Sequence, residues 1–147
     1  MIQISVDILL VEDNINDAEL AIRELKKHKM TDNLVHVSDG EEALEFIFAT
    51  GKHHGIRNID SPPKLVLLDI QMPKVNGIEV LQQIKSDPRT KKIPVVILTS
   101  SKENPDIQKC YDLGANSYIV KPVDSNNFFN AIKEIGLYWM VFSEPSH

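Results

Sequence analysis

Three short stretches of this chain are apolar at every position: Ile8-Leu9-Leu10-Val11, Leu65-Val66-Leu67-Leu68 and Val95-Val96-Ile97-Leu98. Successive side chains of a strand point to opposite faces, so a strand with one wet face alternates apolar and polar residues. A strand that is apolar throughout must be covered on both faces, as in a parallel sheet packed between helices. With the flanking residues and two further apolar segments, five strands are expected: Val6 to Val11, Leu34 to Val37, Leu65 to Ile70, Ile93 to Leu98, and Ser117 to Val120.

The intervening segments change period. Ala18, Ile22 and Leu25 form one stripe, Ala43, Leu44, Ile47 and Phe48 a second, and Ile78, Leu81 and Ile84 a third, all at steps of three or four, the spacing of one helix face. A shorter helix is expected from Pro105 to Leu113, with proline at its first turn and Gly114 just past its end. The last helix carries Phe128, Ile132, Ile135 and Trp139 behind an Asp124-Ser125 cap. Strands alternating with helices define a doubly wound α/β domain, for which the flavodoxin-like strand order 2-1-3-4-5 is the expected arrangement. The 147 residues suit one domain, 1–147, with its core over about 5–136. At this size a compact fold buries roughly 68–70% of the surface its unfolded chain exposes, enough for a core without staples. Thr50 to Pro63, with Gly51, Gly55, Pro62 and Pro63, reads as a long surface loop. His53 and His54 within it lack a neighbouring Cys or carboxylate cluster that would make a zinc site.

Charge and composition exclude several classes of function. Sixteen basic against twenty-one acidic residues give a net charge of −5, which repels a phosphate backbone, so no nucleic-acid partner is expected. The longest apolar run near the C-terminus, Leu137 to Phe142, is far shorter than the ~18 residues that a membrane span needs. A single Cys forms no internal disulfide, and the start Met1-Ile2-Gln3-Ile4 has no secretory pattern; the cytoplasm is the expected location. Cys110, on the expected fourth helix, reads as core packing.

In an open parallel sheet the functional crevice lies beyond the carboxyl ends of the strands. The first strand ends in Glu12-Asp13-Asn14, the third in Asp69, the fourth in Thr99-Ser100 and the fifth in Lys121-Pro122. Taken singly, each has an ordinary explanation as a helix cap, a turn residue, a strand-end hydroxyl or a solvated lysine. Together they deliver polar groups to one edge. Order 2-1-3-4-5 makes strands 1 and 3 neighbours and gathers Glu12, Asp13 and Asp69 into one acidic pocket. Three carboxylates that close repel unless a cation lies among them. Oxygen ligands without His or thiolate suit Mg²⁺, which also accepts phosphate oxygens. A carboxylate attacks phosphorus to form an aspartyl phosphate, and Asp69, on the central strand, is the natural nucleophile. Lys121 supplies positive charge and Thr99 a hydroxyl donor, which is what phosphoryl transfer asks of a protein.

Val11-Glu12-Asp13-Asn14, Leu67-Leu68-Asp69-Ile70-Gln71-Met72-Pro73, Asn76-Gly77, Ile97-Leu98-Thr99-Ser100 and Gly114 through Pro122 resemble, in order and spacing, the motifs of two-component response regulator receiver domains, the CheY-like family. The resemblance covers about residues 5 to 136. It implies that Asp69 accepts phosphate from a phosphohistidine of a histidine kinase, and that Mg²⁺ is held by Glu12, Asp13, Asp69 and the backbone carbonyl of Gln71. It further implies that Thr99 and Lys121 contact the phosphoryl group, that the Lys121-Pro122 bond is cis, and that Tyr118 is an aromatic switch coupled to Thr99. The protein would then be no enzyme in the usual sense, catalysing only its own phosphorylation and dephosphorylation.

The long Thr50 to Pro63 loop and the apolar 137–147 tail resemble the small stand-alone regulators that partner cyanobacterial and other bacterial phytochrome-type kinases. No effector domain is expected after the last helix, so output would run through protein contacts. The stripe of the last helix leaves Leu137, Tyr138, Met140, Val141 and Phe142 pointing elsewhere. A homodimer through the fourth helix, fifth strand, fifth helix and tail is the expected use of that surface, and a tail folded onto its own core is the alternative. Lys26, Lys27 and Lys29 read as cations favouring the negative end of the first helix, although the family also meets its kinase there. Two competing functions remain. A Mg²⁺-dependent phosphohydrolase resembling the haloacid dehalogenase group needs a second Asp two residues after the nucleophile, where this chain has Gln71. A constitutive interaction module has no use for so costly a carboxylate cluster.

Overall fold

A computed structural model describes residues 6–27, 33–72 and 75–136. In chain order the elements are β1 (Ile8–Val11), α1 (Ile15–Lys27), β2 (Leu34–Val37), α2 (Gly40–Phe48), β3 (Leu65–Asp69), α3 (Gly77–Ser86), β4 (Val95–Thr99), α4 (Asp106–Asp112), β5 (Ser117–Val120) and α5 (Ser125–Glu134), with a single 3₁₀ turn at Gly51–His53. All four pairings are parallel, as the apolar runs predict, and the order is β2-β1-β3-β4-β5, the expected flavodoxin-like arrangement.

Every residue of β1, β3 and β4 is buried, whereas β2 is half-exposed and β5 alternates. Central strands meet helices on both faces and edge strands do not. The two cores divide the strand residues by parity. Ile8, Leu10, Leu65, Leu67, Val96, Leu98 and Ile119 pack against Ala18, Ala21 and Leu25 of α1 and Phe128, Ala131 and Ile132 of α5. Leu9, Val11, Val66, Leu68, Val95 and Ile97 pack against α2, α3 and Cys110 of α4 on the opposite face. Burial holds the Cys110 thiol up at about 11, so packing is its role, as expected. Trp139 and the rest of the 137–147 tail lie outside the described residues, as does Lys29.

Four helices begin on side-chain caps. Asn14, Asp39, Asn76 and Asp124 each accept a backbone N–H from three residues ahead, at 2.9, 2.8, 3.1 and 2.8 Å, satisfying a donor that has no partner inside the helix. The Thr50 to Pro63 loop folds onto α2. The Arg57 guanidinium lies 4.2 Å from the centre of the Phe46 ring and donates to the carbonyls of Phe46 and Ser61. The His53 ring meets Phe46 edge-on at 5.0 Å.

Candidate functional site

The site is assembled by register. Val11 pairs with Leu68, so the next residue on each strand, Glu12 and Asp69, sit side by side at the carboxyl edge. Thr99 pairs with Val120, and the Lys121 N–H donates to the Thr99 carbonyl at 2.7 Å, which fixes the lysine at the same edge. The Lys121–Pro122 peptide bond is cis. Beyond β3 the chain turns so closely that a Cβ on Gly77 would lie 2.2 Å from the Asp69 carbonyl oxygen. Glycine at this position lets α3 start against the back of the site.

Glu12 and Asp69 are almost wholly buried and Asp13 is exposed beside them. Each offers an oxygen, and the three oxygens lie within 4.8 Å of one another. Glu12 Oε2 accepts the Asn14 N–H at 3.1 Å, and Asp69 Oδ1 accepts the Gln71 N–H at 3.0 Å. Burial, then the hydrogen bond and negative charge of Asp69, push the Glu12 carboxyl up to about 8. Ionising Glu12 here is therefore unfavourable without a further positive charge beside it. Among the described residues, the ammonium inside the pocket is that of Lys121, 3.2 Å from Glu12 Oε1 and 3.4 Å from Asp69 Oδ2. Burial alone would lower this lysine. The hydrogen bond with Asp17 and the charges of Asp69 and Glu12 outweigh it and hold the ammonium above the usual lysine range. An all-oxygen triad with two buried members and one exposed member fits a hard divalent cation.

Thr99 Oγ1 donates to the Ser101 carbonyl at 3.1 Å and accepts from the Ser101 N–H and the Asn104 amide, at 3.3 and 3.4 Å. Tyr118, half-buried on β5, packs edge-on against Tyr111 at 6.3 Å. An open cleft of about 530 Å³ beside Asp13 is lined by Ile70, Gln71, Met72, Asn76, Ile78 and Asp106; it gives the pocket access from solvent.

Sequence reasoning missed two residues. Asp17, on α1, lies 3.0 Å from the Lys121 ammonium, closer than either carboxylate expected there. His36, on β2, places Nε2 2.8 Å from the Glu12 carbonyl oxygen. Helical spacing flags the first: Asn14 Oδ1 accepts the Asp17 N–H at 2.9 Å, so Asp17 sits in the first turn facing the strand edge. No local signal flags His36, because its neighbour is a backbone carbonyl on another strand.

A five-stranded 2-1-3-4-5 sheet, with an acidic pocket, a lysine and a threonine at its carboxyl edge, defines a flavodoxin-like domain of the kind that receives phosphoryl signals. The chain belongs to the response regulator receiver domain family, whose profile matches residues 8–133. It is 39% identical over 133 residues to the probable methanogenesis regulatory protein FilR2 of Methanothrix harundinacea, covering 90% of this chain and 83% of that one. It is 37% identical to the response regulator Rcp1 of Synechocystis sp., covering 90% of this chain and 88% of that one. The Mn²⁺-bound structure of Rcp1 superposes with a TM-score of 0.72 at 33% identity, covering 97% of this chain and 96% of that one. The bacteriophytochrome response regulator AtBRR superposes with a TM-score of 0.85 at 44% identity, covering 95% of this chain and 99% of that one.

Proposed function

We propose that Asp69 is the phosphoacceptor of this receiver and takes its phosphoryl group from a phosphohistidine of a histidine kinase. The observation that carries this reading is the Asp69 carboxylate itself: buried at the end of the central strand, 3.4 Å from the Lys121 ammonium and grouped with Glu12 and Asp13. Asp69 supplies the attacking oxygen. Lys121 neutralises charge on the phosphoryl oxygens, and the Thr99 hydroxyl turns from Ser101 toward the same group. A divalent cation, Mg²⁺ by the hardness of the donors, would be held by Glu12, Asp13, Asp69 and the Gln71 carbonyl and would spread the charge of the transferring group. The switch is a population shift in which Thr99, drawn to the phosphoryl group, vacates space that Tyr118 fills.

The partner is a histidine kinase of the phytochrome type, a reading supported by the likeness to AtBRR. Ile15 and Leu20, 70% and 41% exposed on α1 beside the pocket, suit a kinase contact. The α4–β5–α5 face, where Tyr111 is exposed, is the surface proposed for a homodimer in the cytoplasm. The hydrolase alternative is not favoured: Gln71 stands where it needs a second Asp, and the Gln71 side chain is exposed. No described helix is long and apolar enough to cross a membrane.

Incubation with Mg²⁺ and a small phosphodonor tests the assignment by intact mass. One phosphoryl group is expected, and none on Asp69→Asn. Full labelling of Asp69→Asn would remove Asp69 from this role.

A further inference from the structure

Lys121 is shared among three carboxylates from three parts of the chain. Its Nζ lies 3.0 Å from Asp17 Oδ2, 3.2 Å from Glu12 Oε1 and 3.4 Å from Asp69 Oδ2. An ammonium has three N–H donors, so these oxygens account for all of them. Glu12 and Asp69 belong to the acidic triad with Asp13, and Asp17 does not. The nearest partner of the lysine therefore stands outside the oxygens that a metal would use.

Asp17 is fixed where it can do this. Its backbone N–H is held by Asn14 Oδ1 at 2.9 Å, it sits in the first turn of α1, and its side chain is 31% exposed against 15% for that of Lys121. The carboxylate thus lies at the rim of the pocket with the ammonium beneath it. Without Asp17, the ammonium would have only Glu12 and Asp69 as charged partners and would compete head-on with a divalent cation for the same oxygens. With Asp17, the ammonium keeps a counter-charge when Glu12 and Asp69 turn toward the metal, and it stays within reach of Asp69.

We propose that Asp17 is a positioning residue that anchors Lys121 at the rim of the pocket, freeing Glu12 and Asp69 to bind the divalent cation. The inference rests on the metal reading given above, and it assigns to α1 a part in tuning the site that acts through the lysine rather than on the metal.

The test is a double-mutant cycle on Mg²⁺ affinity, read from the amide shifts of Asp69 and Gln71 in the full chain. Asp17→Asn should weaken Mg²⁺ binding about fivefold, the scale of an ion pair at the rim of a pocket. In a Lys121→Met background the same change should alter affinity less than twofold. An equal loss in both backgrounds would make Asp17 a bystander charge acting directly on the metal and overturn the proposal. So would unchanged affinity in the single variant. Unchanged amide shifts elsewhere confirm that each variant is folded. A parent chain that shows no Mg²⁺ binding would instead overturn the metal reading, and this inference with it.

Discussion

Gly77→Ala sets two effects of opposite sign against each other. Alanine is the better helix former, by about 1 kcal/mol, so propensity alone makes the variant more stable. Packing opposes this. The added Cβ would lie 2.2 Å from the Asp69 carbonyl oxygen and 2.5 Å from Ile70 Cα, where real contacts stay beyond 3.0 Å, so at least 0.8 Å must open between the start of α3 and the end of β3. Both obstructing atoms are backbone and cannot rotate away. Overpacking of this kind costs about 1–3 kcal/mol, and the absence of any flexible neighbour places Gly77→Ala toward the upper end. The expected net loss is about 2 kcal/mol, a fall of about 1 M in the urea midpoint. The same displacement moves Asp69, whose carboxylate is held by a 3.0 Å bond from Gln71 N–H and a 3.4 Å contact to Lys121. Phosphorylation of the folded variant should therefore slow by about tenfold or more, since misplacement by about 1 Å can cost a hundredfold. Urea unfolding followed by circular dichroism, and phosphoryl uptake followed by intact mass, measure the two effects separately. A variant as stable as the parent, or more stable by the helix-propensity increment, would refute the steric argument.

Two further outcomes are expected. Glu12 titrates near 8 in the folded chain against 4.5 for an ordinary glutamate, so the folded state binds the extra proton and metal-free stability falls as pH rises from about 4.5 to 8, by at most about 5 kcal/mol. Glu12→Gln should flatten this component and millimolar Mg²⁺ should offset it; parallel stability profiles for parent and Glu12→Gln in chemical denaturation would show that the shift is absent. Thr99→Ala should accept phosphate yet lose phosphorylation-dependent binding to its partner, because the hydroxyl proposed to couple the phosphoryl group to Tyr118 is gone; retained coupling in a pull-down with the phosphorylated variant would place the switch elsewhere.

Much of the fold is legible in the sequence because side-chain period is a local property. A run such as Leu65-Val66-Leu67-Leu68 reports two covered faces wherever it occurs, and the spacing of Phe128 and Ile132 reports one helix face. The strand ends follow from the same pattern, so Glu12, Asp13, Asp69, Thr99 and Lys121 were legible as residues of one edge. Tertiary structure decided what those residues do to one another. The pairing of Val11 with Leu68 sets Glu12 against Asp69, and burial first, then the hydrogen bond and charge of Asp69, lift the Glu12 carboxyl, because desolvation depends on what packs around a group and not on its neighbours in the chain. The Asp17 contact to Lys121 joins residues far apart in the chain, with α1 packed in one core with α5. The Thr50 to Pro63 segment, an irregular loop by sequence, is ordered by Arg57 and His53 against the Phe46 ring. Contacts between segments far apart in the chain leave no periodic trace, so only the folded arrangement of strands and helices could reveal them.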